Sequence, residues 1–174
     1  MRIALLLAAL CLLPRPIAAQ EIDGRVLLAA AGVATLMLVD DEAHEHAAWS
    51  PAKRRAADWL STGTVAAAVA LPCLEDRTRG CVKTSALRIG LTVGIAETSK
   101  YFIRRERPDK SDRKSFFSEH TALACVGGLS SKRQAIGAAL CAAAGYLRVA
   151  ADKHWVTDVL VGAGVGFGMS RIAR

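Results

Sequence analysis

At 174 residues, with 52% hydrophobic but only 5% aromatic residues, the chain is one domain's worth and draws its apolar surface from Ala, Leu, Val and Gly. Side chains that small favour close helix packing and exclude a bulky sandwich core. The net charge of +7 raises nucleic acid as a partner. Many of the cations, however, lie between residues 100 and 114 or in two further polar clusters, with no aromatic-interleaved basic stripe. An anionic substrate or an anionic lipid surface accounts for the charge better, and no nucleic-acid partner is expected.

In chain order, the N-terminus reads as an export signal. Arg2 is a minimal positive region, residues 3–13 are apolar, and Ile17-Ala18-Ala19 form a small-residue cleavage site before Gln20. An uncleaved anchor is the rival reading, but the run is short for a span and Pro14, Arg15 and Pro16 break its end. The expected organisation is a signal peptide over 1–19 and one helical domain over 20–174. Without Cys11, four cysteines remain: Cys73, Cys81, Cys125 and Cys141. An even count in an exported chain permits disulfides, and Cys73–Cys81 would close a short polar loop. The spacing fits no zinc pattern, and Cys125 and Cys141 sit in apolar runs, where they read as buried small hydrophobes.

Apolar segments follow at 26–39, 59–74, 84–99, 120–130 and 134–170, the last broken near 148–154, and no β alternation competes with them. The expectation is an all-α bundle of about six helices, with polar linkers at 40–58, 75–83 and 100–118 and a tight turn at Ser130-Ser131-Lys132-Arg133. Pro51 and Pro72 punctuate the first two helical regions after the signal. The acidic segment containing Asp40, Asp41, Glu42, His44, Glu45 and His46 reads as a solvated linker, because a helix would point His44 and His46 to different faces. Most runs are shorter than the ~20 residues a span prefers, and Arg88 and Glu97 interrupt the third. Gly162, Gly164, Gly166 and Gly168, by contrast, give small-xxx-small spacings suited to close helix contact in membranes. If the signal is cleaved, three crossings would leave Lys100 in the cytosol. An inner-membrane protein with a periplasm-facing site and a soluble periplasmic protein both stay open.

Three polar clusters carry the chemistry. The third holds Arg148, His154 and Asp158. His154 and Asp158 are four apart and share one helix face, so Asp158 can hold one ring nitrogen and leave the other free to attack. Arg148 brings a guanidinium fork suited to phosphate oxygens. In the first cluster, Lys100 and Arg107 precede Pro108, which pushes Arg107 out of α geometry into a loop that can reach over a pocket. In the second, Ser118-Glu119-His120 opens a helix, with Ser118 as N-cap, free amides that suit an anion and His120 as an acid. Each cluster also has a plainer reading, as a helix cap or a solvated flank. Their joint occurrence at helix ends favours one pocket with three cations, a hydroxyl, two imidazoles and a carboxylate.

These residues resemble the type 2 phosphatidic acid phosphatase superfamily, whose helical scaffold is shared with vanadium haloperoxidases and bacterial acid phosphatases. Lys100, Arg107 and Pro108, then Ser118 and His120, then Arg148, His154 and Asp158 match its signature over roughly residues 97–166. Phe117, Glu119 and Leu147 depart from it, standing where the family has Pro, Gly and often Ser. The resemblance implies an active site at helix ends, between the third and fourth and the fifth and sixth helices. It implies His154 as nucleophile, held by Asp158, and His120 as acid and then base. Lys100, Arg107, Ser118, the Glu119 amide and Arg148 would bind phosphate. No metal or other cofactor is expected, since three cations take the metal's place. The implied activity is hydrolysis of lipid phosphates or other phosphomonoesters through a phosphohistidine, at or near a membrane. Two alternatives are a vanadate-dependent haloperoxidase and a non-catalytic binder of anionic lipid, the latter motivated by the Glu119 carboxylate beside the site.

Overall fold

A computed structural model describes residues 49–172, which form five α-helices and no strand. The helices are α1 (Pro51–Glu75), α2 (Arg79–Ile103), α3 (Glu119–Ser130), α4 (Gln134–Ala150) and α5 (Val156–Ser170). The all-α architecture follows the apolar periodicity. The expected segment 26–39, the signal region 1–19 and the acidic cluster at 40–46 lie outside the described residues.

The first two helices are longer than their apolar runs. Ser50 caps α1, its hydroxyl accepting from the Lys53 amide at 3.4 Å, and Pro51 takes the first helical position. There its missing N–H costs nothing and its φ is already helical. The charged stretch read as a linker up to residue 58 is therefore helix. Thr78 caps α2 in the same way, accepting from the Cys81 amide at 3.2 Å.

Helix α3 is the centre, in contact with all four others, while α1 also packs on α4. Its packing depends on small residues. Ala68, Ala124 and Ala144 form one fully buried cluster, and Ala96 and Ala122 join Phe117 in a second. At the α3–α4 crossing Gly128 and Gly137 meet backbone to backbone, and a methyl group on either would overlap the other's carbonyl. Of the four late glycines, Gly162 and Gly166 face Ser118 and Ala122 of the α3 region, while Gly164 and Gly168 face open space.

Two disulfides lock the bundle, Cys73–Cys81 across the α1–α2 corner and Cys125–Cys141 between α3 and α4. The second corrects the reading of Cys125 and Cys141 as unpaired core residues. The turn at 131–133 folds α4 back along α3 and brings the two sulfurs together. Both bonds point to an oxidising compartment.

Helix α1 is long and apolar enough to cross a membrane, by length and composition, and only 17% of its most apolar window is buried inside the chain. Helix α2 presents Leu87, Leu91 and Ile95 outward at helical spacing. Gly-rich α4 and α5 are shorter apolar helices.

Candidate active site

Two loops build the site. The first, residues 104–118, leaves α2 at Arg104, whose φ of 50° turns the chain out of the helix. The second, residues 151–155, joins α4 to α5. Backbone bonds stitch them together. The Asp109 amide donates to the Asp152 carbonyl at 3.1 Å, and the Ser118 amide to the Asp158 carbonyl at 3.0 Å. Asp152, itself at φ 54°, accepts from Arg54 of α1 at 2.7 Å. Lys153 Nζ reaches back to Asp109 Oδ2 at 2.7 Å.

A cleft of about 410 Å³ opens where these loops meet α1 and α3, lined by Asp58, Thr62, Arg107, His120, Arg148 and Lys153 among others. Arg107 donates from Nε to Asp112 at 2.8 Å and from Nη1 to the Lys153 carbonyl at 3.2 Å. Arg148 is 4% exposed. It pairs with Asp58 and lies 3.5 Å from Ser61 Oγ, while its buried Nε has no hydrogen-bond partner. A buried guanidinium N–H left unmatched is costly unless a ligand completes it. His120 Nε2 sits 3.4 Å from Thr62 Oγ1. Burial, with the positive charge of Arg148 and the His154 ring, pushes the His120 pKa down to about 4.

His154 is 2% exposed. Its Nδ1 lies 2.7 Å from the Ser115 carbonyl and 3.8 Å from Asp158 Oδ2. The carbonyl can only accept, so Nδ1 carries the proton and Nε2 keeps a lone pair. The partner expected of Asp158 is thus a backbone carbonyl, and Asp158 acts on the ring as a nearby charge. Burial holds the His154 pKa down to about 4 against the pull of Asp158, and Arg148 and Arg107 add to the depression. Asp158 is fully buried and saturated: it accepts from Arg105 at 2.8 Å, from the Trp155 amide at 3.1 Å and from the Ser115 hydroxyl. Burial raises its carboxyl, but the neighbouring His154, the hydrogen bond from Ser115 and the charge of Arg105 outweigh that and keep it below the usual range.

The expected residues divide into two groups. Arg107, His120 and Arg148 line one cleft, and His154 and Asp158 lie near enough that the two arginines act on the histidine. Ser118 is fully buried, and its hydroxyl caps α3 by accepting from the Thr121 amide at 3.4 Å. Lys100 borders the neighbouring groove instead, with Nζ held by Glu97 and Glu119, each at 2.7 Å. The Glu119 carboxylate is therefore turned to Lys100 and neutralised there. Sequence reasoning passed over Lys153, Asp58, Arg105 and Ser115. Lys153 stands next to His154, and Arg105 lies inside the basic run, so position alone could have flagged both. Among the described residues no group of His, Cys, Asp and Glu side chains is gathered to hold a metal ion.

An alignment of 92 positions, taking in 48% of this chain and 21% of the other protein, is 34% identical to the lipid A 1-phosphatase of Porphyromonas gingivalis. The chain thus spans about a fifth of that relative's length. No family profile and no solved structure matches it. It is a distant, partial relative of a lipid phosphatase.

Proposed function

We propose that this chain is a metal-independent phosphatase of lipid phosphates, working through a phosphohistidine at the helix ends between α2 and α3 and between α4 and α5. The observation that carries the reading is the cleft in which Arg107, Arg148, Lys153 and His120 meet beside a buried His154 whose Nε2 is unprotonated. Phosphoryl transfer asks mostly for positioning and charge stabilisation, and fixed cations in a half-dry cleft supply both.

In this mechanism Arg107, Arg148 and Lys153, which line the cleft, take the non-bridging oxygens. His154 Nε2 attacks phosphorus, so the N–P bond forms as the bond to the leaving oxygen breaks. His120 gives that oxygen a proton. Its low pKa in the free protein comes from burial and nearby positive charge, and a bound phosphate dianion offsets that charge and lets the ring hold a proton. Water then attacks phosphorus, gives its proton to His120 and releases phosphate from His154. Splitting one displacement into two lowers each barrier. Arg105 and Ser115 fix Asp158, and the Ser115 carbonyl fixes the ring tautomer. Lys100, held by Glu97 and Glu119 in the neighbouring groove, acts on the cleft as a nearby charge.

The proposal includes export by the segment 1–19, a site on the outer side of the inner membrane or in the periplasm, and membrane association. The support is the pair of disulfides, the apolar α1 and the outward Leu87–Leu91–Ile95 face of α2. The test is phosphate release from short-chain phosphatidic acid and from an aryl phosphate, with chelator present. His154→Ala should lower turnover at least about a thousandfold while the melting temperature holds. Turnover near that of the parent would remove His154 as nucleophile.

A further inference from the structure

Across the Asp112 carboxylate from the cleft, the surface opens into a larger groove of about 860 Å³. Four cations line it, Lys100, Arg104, Arg113 and Lys114, against two carboxylates, Glu97 and Asp112. Both carboxylates are already engaged, Glu97 with Lys100 at 2.7 Å and Asp112 with Arg107 at 2.8 Å. Among the described residues Arg104, Arg113 and Lys114 form no ion pair, so the groove keeps a surplus of positive charge that its own carboxylates do not cancel. Arg104 stands in a left-handed conformation, φ 50°, where Gly or Asn is the easier residue, and its side chain lines the groove. Tyr101 and Phe102 form an apolar wall beside these cations, 77% and 42% exposed.

The two spaces share Asp112 as a common wall, and they are linked again on the other side. Glu119, which grips Lys100 of the groove, is followed in the chain by His120 of the cleft. A molecule seated in the cleft by one phosphate therefore has a cationic groove beside it. Arginine forks suit a second phosphate-like anion, which they can grip with two hydrogen bonds.

We propose that this groove is a second anion subsite. It takes another phosphate group of the same substrate molecule, set a few atoms from the one being cleaved, with Tyr101 and Phe102 against the substrate's apolar part. This rests on the phosphatase reading above and narrows it to lipids that carry two anionic groups.

The experiment compares two short-chain lipids with the full chain in non-ionic detergent. Phosphatidic acid carries one phosphate; phosphatidylglycerol phosphate carries a terminal phosphate and a phosphodiester one glycerol away. The expected result is a kcat/KM at least about tenfold higher for the second lipid, carried by KM. In the double variant Arg113→Glu/Lys114→Glu that ratio should fall towards one. The same two lipids are titrated onto His154→Ala protein, which needs no turnover, so binding is read separately from chemistry. Should neither lipid be hydrolysed while the binding ratio and its collapse hold, the phosphatase reading fails and the subsite stands. Equal affinity for both lipids, unmoved by charge reversal, overturns the subsite. So does a charge reversal that weakens inorganic phosphate binding but leaves the two lipids indistinguishable, since the groove would then hold free anions only.

Discussion

Two buried arginines sit near opposite ends of this bundle, and they are treated differently. Arg88, in α2, is 7% exposed and gives its Nε to the Ile172 carbonyl at 2.8 Å and an Nη to Ser130 Oγ at 2.9 Å. Two of its partners are thus neutral oxygens, one at Ile172 and one at the end of α3. Arg148, 4% exposed, lines the cleft, pairs with Asp58 through one nitrogen and keeps a buried Nε unmatched, as Arg54 does. The first arginine joins helix ends, and the second lines a cleft. Burial alone therefore does not separate the two; their surroundings do, since Arg148 lines a cleft beside two histidines whose pKa values are depressed.

Replacing each arginine by alanine is the sharpest way to break this contrast. Arg148→Ala should cut kcat/KM about a hundredfold or more, because a charged donor to phosphate is worth roughly 1.5–3 kcal/mol per hydrogen bond, while the melting temperature moves little. Arg88→Ala should do the reverse. It loses two charged hydrogen bonds and leaves a void, so unfolding should ease by about 2 kcal/mol with turnover per folded molecule retained. Denaturant titration and steady-state kinetics on both variants check this, and equal kinetic loss in the two would end the distinction.

The pH profile sharpens the same comparison. His154 must be neutral to attack, and its pKa is about 4, as is that of His120. Because the free His120 ring holds the proton it must donate only below about 4, kcat/KM should peak near pH 4 and fall on both sides, while kcat, which reports the complex, should hold to higher pH. Stability should fall over a nearby window. A histidine with a folded pKa below its unfolded value of 6.5 binds more protons when unfolded, so stability is lost as pH falls from 6.5 towards 4. Arg148 is one cause of both depressions. Arg148→Ala should move the acid limb upward, whereas Arg88→Ala should leave it in place.

Part of the candidate site was legible because its residues recur at short, helix-matched spacing, His154 with Asp158 and Arg107 before Pro108, and the cap of α3 was legible from Ser118 before an apolar run. The small-residue core was legible from composition, since Ala and Gly can bury only by bringing backbones close. What escaped was long-range pairing. Arg105 with Asp158, Ser115 with Asp158 and Arg148 with Asp58 join residues 53, 43 and 90 positions apart, and no local period encodes such contacts. The Cys125–Cys141 bond escaped because apolar neighbours argued for plain burial, although a tight turn between the two could have suggested facing helices. The start of α1 escaped because Lys53, Arg54, Arg55 and Asp58 mask its apolar period, while Ser50-Pro51 carried the cap.

The smallest effect tests the residue that departs most from the resemblance. Glu119 holds Lys100 at 2.7 Å with its side chain 24% exposed, at the first position of α3. Because that carboxylate faces Lys100, it blunts the positive field at the mouth of the cleft without blocking it. Glu119→Gln keeps the shape and a hydrogen-bonding oxygen but removes the charge. At a partly exposed site one charge shifts the binding of an anion by under about 1 kcal/mol, so KM should fall a few-fold while kcat stays level. The gain should shrink as salt rises, because screening weakens the same field. The change should cost only a few tenths of a kcal/mol in stability, from the lost favourable charge at a helix N-terminus. Kinetics at low and high ionic strength read both signs. A large loss of kcat would mean that the carboxylate fixes Lys100 in a position that turnover requires, and would make Glu119 a positioning residue of the site.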